Sequence, residues 1–153
     1  MDESARQTIA DYDNATHYND FVVSKIVETF KDKPSVMIYL SDHGEEVYDY
    51  RNFIGRSHES KKTKEALQYQ YDIPFLLWCS DRYVSTHPQQ MEAIRQALDK
   101  PATADDVAHM LFSLAAIHTP FYQGKRDPLN TDYAVGQRLL QGYIDYDEAT
   151  GNQ

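Results

Sequence analysis

Little in this sequence could staple it, anchor it in a membrane or repeat. It holds one cysteine, Cys79, so no disulfide can form within the chain and no cysteine-rich zinc site can be built. Cys79 follows the apolar run Pro74-Phe75-Leu76-Leu77-Trp78 and reads as a buried core thiol. No stretch reaches the ~18 consecutive apolar residues that mark a membrane-spanning helix. A signal peptide is not expected, because Met1-Asp2-Glu3 opens acidic and no hydrophobic segment follows. If the protein is exported, its signal lies outside these residues. Basic charge is scarce: 15 Lys and Arg stand against 24 Asp and Glu, a formal net charge of −9. Such a surface repels phosphate backbones, and no Lys/Arg stripe interleaved with aromatics offsets it, so no nucleic-acid partner is expected. The one basic cluster, Lys61-Lys62 with Lys64, reads as a solvated loop.

The rest is ordinary globular material, 41% hydrophobic and 25% charged, and 153 residues on length alone suggest one domain. The 12 tyrosines suit half-buried positions, where the ring packs and the hydroxyl finds a polar partner. Ala15, Tyr18, Val22, Ile26 and Phe30 recur at helical spacing, which predicts a helix from about Thr8 to Lys31 with a broad apolar stripe. Pro34 ends it. Ser35–Leu40 reads as a strand apolar on both faces, a pattern typical of a parallel sheet between helix layers. Ser41 to about Gln70 is polar and turn-rich, a long loop of the functional or disordered kind. Pro74–Trp78 is a second buried strand.

Pro88–Leu98 reads as a helix with proline in its first turn and Thr86 or His87 as its cap. Thr103 and Asp106, in capping-box spacing, open another over Ala104–Ile117. In the tail from Pro128, Tyr133–Tyr143 is a last helix or strand. Two strands apolar on both faces cannot make a stable sheet alone. The chain therefore reads as part of a larger α/β domain.

The sharpest local feature is Ser41-Asp42-His43-Gly44-Glu45-Glu46, placed where a buried strand ends and the long polar segment begins. Ligands of open α/β sheets bind at the carboxyl ends of strands. Asp and His offer a hard oxygen and a borderline nitrogen, a donor pair suited to zinc. Gly44 lets the backbone turn so that neighbouring side chains converge. Taken alone, the run reads equally as half of a metal site or as a strand-end turn with an Asp cap.

The run Tyr12-Asp13-Asn14-Ala15 with Tyr18-Asn19-Asp20-Phe21, then Ile38-Tyr39-Leu40-Ser41-Asp42-His43-Gly44-Glu45, then Ile73-Pro74-Phe75-Leu76-Leu77-Trp78, resembles the C-terminal part of bacterial phosphoethanolamine transferases of the alkaline-phosphatase/sulfatase superfamily. The similarity covers roughly Tyr12 to Ile117 in the family's order. It implies a fold class, the C-terminal part of an alkaline-phosphatase-like three-layer α/β/α sandwich with an incomplete sheet, so that residues 1–153 form a fragment of the catalytic domain. It also implies an inner-membrane enzyme whose catalytic domain faces the periplasm, with zinc (or another divalent metal) as cofactor and phosphatidylethanolamine as donor. The implied acceptor is lipid A or the lipopolysaccharide core. Asp42 and His43 match the family's Asp-His zinc ligands. The remaining ligands and the threonine nucleophile belong to the family's earlier half, which makes that N-terminal half an implied partner. The chain alone is then expected to be inactive.

His58 in Gly55-Arg56-Ser57-His58-Glu59 matches the family's loop histidine near the substrate phosphate, or is a surface histidine. Arg56 is a candidate for a phosphate oxygen, or simply solvent-exposed. Glu45 is the candidate to orient His43, since metal-bound imidazoles usually donate their other N–H to an oxygen. Tyr48 and Tyr50 lie where they could touch substrate. His17, His87 and His118 read as structural or surface residues, and His109 as packed or capping. Two other readings stay open: a sulfatase or phosphatase-type hydrolase that shares the Asp-His pair, and a non-catalytic remnant that binds metal or protein.

Overall fold

The structure, a computed structural model, describes residues 1–57 and 63–151. In chain order the elements are α1 (Glu3–Phe30), β1 (Val36–Leu40), β2 (Glu46–Val47), β3 (Ile54–Gly55), α2 (Lys64–Tyr71), β4 (Phe75–Cys79), α3 (Asp81–Thr86), α4 (Pro88–Ala97), α5 (Val107–Leu114), β5 (Leu139–Leu140), β6 (Ile144–Asp145) and α6 (Tyr146–Thr150). They divide into two compact units, Met1–Tyr83 with Tyr146–Gln153, and Val84–Asp145, where length alone suggests one domain. The mixed α/β class is as expected. Among the described residues the strands form three two-stranded sheets.

In the first unit α1 begins five residues before its predicted start, because Asp2 caps it by accepting the Ala5 N–H at 2.8 Å. Lys31 to Pro34 end it as expected. β1 pairs with β4 in antiparallel register, Val36 opposite Cys79 and Leu40 opposite Phe75, which corrects the parallel expectation. A parallel neighbour needs a crossover that carries the chain back along the strand. Here the connection stays at the C-terminal end of β1, where the Gly44 N–H donates to the Gln70 carbonyl at 3.2 Å. The chain therefore enters β4 at the end where it left β1. Buried Ser80 clasps the other end: its hydroxyl donates to Lys33 O at 2.6 Å and accepts the N–H groups of Ser35 and Tyr83, both at 3.1 Å. Cys79 is half-buried, and desolvation raises its thiol pKa.

The segment read as a long loop, 41–70, is instead well packed in its described residues, with Glu46, Val47, Ser57, Ala66, Leu67 and Gln70 buried. β2 and β3 form a hairpin with Glu46 opposite Gly55 and Val47 opposite Ile54, and Thr63 caps α2 through the Ala66 N–H at 3.3 Å. Ala66, Leu67 and Gln70 of α2 are buried, and α2 packs on α6, whose Tyr146 and Thr150 are buried too. The Tyr146 hydroxyl donates to the Asp72 carboxylate.

At the heart of this packing lies the Glu46 carboxylate, 0% exposed. Arg51 grips it bidentately, Nε to Oε2 at 2.8 Å and Nη2 to Oε1 at 3.1 Å, and the Gln70 amide donates to Oε1 at 2.5 Å. The Gln70 carbonyl Oε1 in turn accepts the Ser57 N–H at 3.2 Å. A charge removed from water is tolerated only when held this completely.

The second unit contains α4, which starts at Pro88 as predicted, with His87 at the cap position but making no capping bond through its side chain. The capping box of Thr103 and Asp106 is present: Thr103 N–H donates to Asp106 Oδ2 at 3.0 Å. It opens a 3₁₀ turn, Ala104–Asp106, that runs into α5. The helix stops at Leu114 rather than Ile117, and Ala116 turns away at φ 51°. His109 is buried, accepts the Gln123 N–H through Nδ1 at 3.2 Å, and meets Phe112 and Tyr122 edge-on. Tyr133–Tyr143 forms no helix; only β5 and the start of its turn into β6 are regular there.

Removing the Glu46 carboxylate takes away the buried acceptor to which Arg51 and the Gln70 amide donate. Glu46→Ala is expected to lower stability by about 3–5 kcal/mol, read from urea unfolding of the two proteins. A second test concerns Tyr133, whose phenol donates to Pro101 O and lies 3.2 Å from Asp106 Oδ2. Burial first, then the Asp106 charge and hydrogen bond, push its pKa from 10.0 up to about 12. The folded value is the higher one, so this contribution is intact below pH 10 and is lost as pH rises towards 12. Melting temperatures taken across that window should fall less steeply for Tyr133→Phe than for the natural sequence.

Candidate metal centre

β1 is apolar and held on one side by β4, so its C-terminal end is a fixed point from which Ser41, Asp42 and His43 depart. The Ser41 hydroxyl donates to the His43 carbonyl at 2.7 Å, which curls the backbone back on itself. Asp42 Oδ1 accepts the His43 N–H at 3.1 Å, and this leaves Oδ2 facing the ring. The two side chains therefore converge: Asp42 Oδ2 and His43 Nε2 lie 3.5 Å apart. Asp42 is 86% exposed and His43 35%.

His43 Nδ1 sits 3.0 Å from the Gly44 carbonyl. A carbonyl only accepts, so Nδ1 carries a proton, and in the neutral ring the lone pair is then on Nε2. This is the arrangement of a metal-ligating imidazole whose other nitrogen is held by an oxygen. The oxygen expected there was the Glu45 carboxylate; the structure puts the Gly44 carbonyl at Nδ1, and Glu45 is an exposed residue beside Gly55.

Gly44 has a second duty. A Cβ at this position would stand 2.3 Å from Tyr69 O and 3.1 Å from Asp72 O, so only glycine lets the C-terminal end of α2 lie this close. Its φ is not positive; the requirement is close backbone approach rather than the sharp turn expected from the sequence.

A tetrahedral zinc with ligands at about 2.0–2.1 Å separates adjacent donors by about 3.3 Å. The observed 3.5 Å fits one edge of that tetrahedron. Asp42 and His43 thus fit two corners of a zinc site. Among the described residues no group of three or more His, Cys, Asp or Glu completes it.

Arg56 is exposed on the strand-exit side of β3, and His58 lies outside the described residues. Tyr50 is exposed and accepts from Thr63 Oγ1 at 3.2 Å, while Tyr48 takes a positive φ of 63° in the hairpin. His17 and His118 are exposed. Glu46, Arg51 and Gln70, which hold the site's floor, were not singled out by sequence reasoning. The one available signal was the helix-forming run Lys64-Glu65-Ala66-Leu67-Gln68 after Thr63.

The fold and the strand end together define an α/β chain with an oxygen and a nitrogen donor side by side at the exit of a half-buried strand. The chain belongs to the sulfatase family, whose profile matches residues 1–117. It is 33% identical to phosphoethanolamine transferase EptC of Escherichia coli O18:K1:H7 over 94% of this chain and 26% of that protein. To phosphoethanolamine transferase CptA of Salmonella typhimurium it is 32% identical, with the same coverage. The chain thus spans about a quarter of the length of these curated relatives. The crystal structure of the C-terminal periplasmic domain of E. coli EptC in complex with Zn matches all of this chain and 45% of that one, with a TM-score of 0.79 and 32% identity. The corresponding domain of Campylobacter jejuni EptC, 24% identical with a TM-score of 0.64, shares the fold.

The Gly44 contact is rigid backbone against rigid backbone. Gly44→Ala should cost about 1–3 kcal/mol in denaturant unfolding, and it should disorder the His43 ring, seen as loss of its distinct imidazole signals by NMR.

Proposed function

We propose that this chain carries part of the zinc site of a phosphoethanolamine transferase, with Asp42 and His43 as two of the metal's ligands. The observation that carries the reading is the 3.5 Å apposition of Asp42 Oδ2 and His43 Nε2, with the ring tautomer set by the Gly44 carbonyl. Support comes from the transferases it resembles along 94% of its length and from the zinc complex of the matching E. coli domain. The proposed donor is phosphatidylethanolamine. The acceptor class is lipid A or lipopolysaccharide core, in keeping with relatives named Kdo(2)-lipid A phosphoethanolamine 7''-transferase. The setting is a periplasm-facing catalytic domain at the inner membrane; none of the described helices is long and apolar enough to cross a membrane, so an anchor would come from another segment.

When bound, zinc supplies charge neutralisation at phosphoryl oxygens and lowers the pKa of a coordinated nucleophile. Asp42 and His43 would hold it: the carboxylate would offer Oδ2 with Oδ1 on the His43 N–H, and the imidazole would offer Nε2 with Nδ1 on Gly44 O. The other ligands and a threonine nucleophile are proposed to come from an earlier part of the domain. Arg56 and His58 are proposed phosphate contacts, and Glu45 a further polar neighbour of the site. A hydrolase of the same family would use the same Asp-His pair, and product analysis separates the two reactions.

Two donors alone make a low-affinity site, so the isolated chain should bind zinc far more loosely than the complete domain and show no transfer. In the complete enzyme His43→Ala should reduce phosphoethanolamine transfer by about 100-fold or more. His87→Ala, in the other unit, should leave it nearly unchanged. Mass spectrometry of the acceptor with zinc supplied measures both. Robust turnover by this chain alone, or an undiminished His43→Ala enzyme, would overturn the assignment.

A further inference from the structure

The chain leaves the first unit after Tyr83, builds the separate unit 84–145, and returns to lay α6 on α2. α6 has five residues, too few to hold a helix by its own hydrogen bonds. Its form therefore depends on what it packs against. Tyr146 is 4% exposed and Thr150 1%, and the Thr150 hydroxyl donates back to the Tyr146 carbonyl at 2.7 Å. The Tyr146 phenol donates to the Asp72 carboxylate, a charge-assisted bond that spans 74 positions of sequence. This tail lies beyond residue 117, where the match to the sulfatase profile ends.

Asp72 is the residue on which α2 ends, and its N–H closes the helix on the Gln68 carbonyl. The same stretch of backbone bears directly on the strand exit. Gln70 O accepts the Gly44 N–H at 3.2 Å, and Tyr69 O and Asp72 O are among the groups that leave no room for a Cβ at Gly44. Helix ends fray, so carbonyls in the last turn of a short helix keep their place only when that turn is held. The side chain of Gln70 holds it to the hairpin residue Glu46, and Tyr146 holds it through Asp72. The Gly44 carbonyl, 3.0 Å from His43 Nδ1, is the next link.

We propose that Tyr146 is a positioning residue of the metal centre. Through Asp72 it fixes the C-terminal end of α2 against Gly44, and so holds the His43 ring in the orientation that turns Nε2 to Asp42. The proposal rests on the reading of Asp42 and His43 as zinc ligands for its effect on metal binding, and on the hydrogen bonds alone for its effect on the strand exit.

The complete enzyme is compared with its Tyr146→Phe variant, which keeps the buried ring and loses the hydroxyl. In the metal-free protein, amide exchange of a peptide spanning residues 41–46, read by mass spectrometry, should speed up about fivefold. The zinc dissociation constant, measured by competition with a chromophoric chelator, should rise by about fivefold as well. Asp72→Ala should reproduce both changes, and the double variant should be no worse than the worse single, because both remove the same bond. Two controls separate positioning from general loosening. Ser80→Ala weakens the clasp at the opposite end of β1; it should lower the melting temperature at least as much and leave exchange at 41–46 and zinc affinity as they were. Tyr143→Phe removes an exposed hydroxyl shortly before α6 and should change nothing. A Tyr146→Phe enzyme with exchange and zinc affinity unmoved, or a Ser80→Ala enzyme that shows the same losses, would overturn the proposal. Faster exchange in Tyr146→Phe, beside a His43→Ala enzyme that keeps full zinc affinity, sinks the metal reading and leaves the brace on the strand exit standing.

Discussion

The arrangement around the strand end depends on one fully buried carboxylate. Glu46 accepts three hydrogen bonds, two from the Arg51 guanidinium and one from the Gln70 amide. Gln70 then does two further things: its side chain reaches the Ser57 backbone, and its main-chain carbonyl accepts from Gly44 N–H. A single α2 residue thereby ties the β2–β3 hairpin, the segment after it and the strand exit together. Leaving any of these buried polar groups unpaired is expensive, so the three pieces hold their positions jointly rather than one by one. The position of the Gly44 carbonyl, and with it the His43 ring, follows from this coupling.

The parts of this fold that were legible in the sequence are those decided within a few residues. Pro34 and Pro88 mark helix boundaries through the proline ring itself, the Thr103/Asp106 box reads from spacing, and β1 and β4 announce themselves as short apolar runs. Asp42 and His43 were found for the same reason: a strand, a donor pair and a glycine in immediate succession. The rest was set at a distance. Apolarity on both faces says neither how far a strand is buried nor which way its neighbour runs: β1 is half-buried, Phe75 and Leu76 of β4 are exposed, and the pair is antiparallel, with residues 44 and 70 joined at its end. Glu46 and Arg51 fall within the stretch that reads as a long polar, turn-rich loop. Their burial is visible only when Gln70 and Ser57, far along the chain, are brought to them. The helix α2 was hidden because its glutamines and tyrosines blend with a polar loop, and its capping threonine is a weak signal by itself.

α1 shows the opposite failure of local logic. Its stripe was read correctly, yet reading a stripe implies a partner, and within this unit that face stays open. Amphipathicity encodes demand for burial. It does not say that the demand is met by the same segment.

The proposed metal site divides along the same line. Orientation is local: the Ser41 hydroxyl on His43 O, the His43 N–H on Asp42 Oδ1 and the ring N–H on Gly44 O lie within four successive residues. Those contacts fix which oxygen and which nitrogen face each other, and Gln70 holds the Gly44 end of them in place. Ligand number is not local, because two donors leave half of a tetrahedron to be filled from elsewhere. In the proposed site the two donors keep their geometry in advance, and the remainder of the domain would bring its own ligands to that preset edge. Preorganisation on one side lowers the ordering cost of assembling the whole site. Gly44 supplies no side-chain donor, yet a Cβ there would stand 2.3 Å from Tyr69 O and push apart the backbone on which the His43 ring rests.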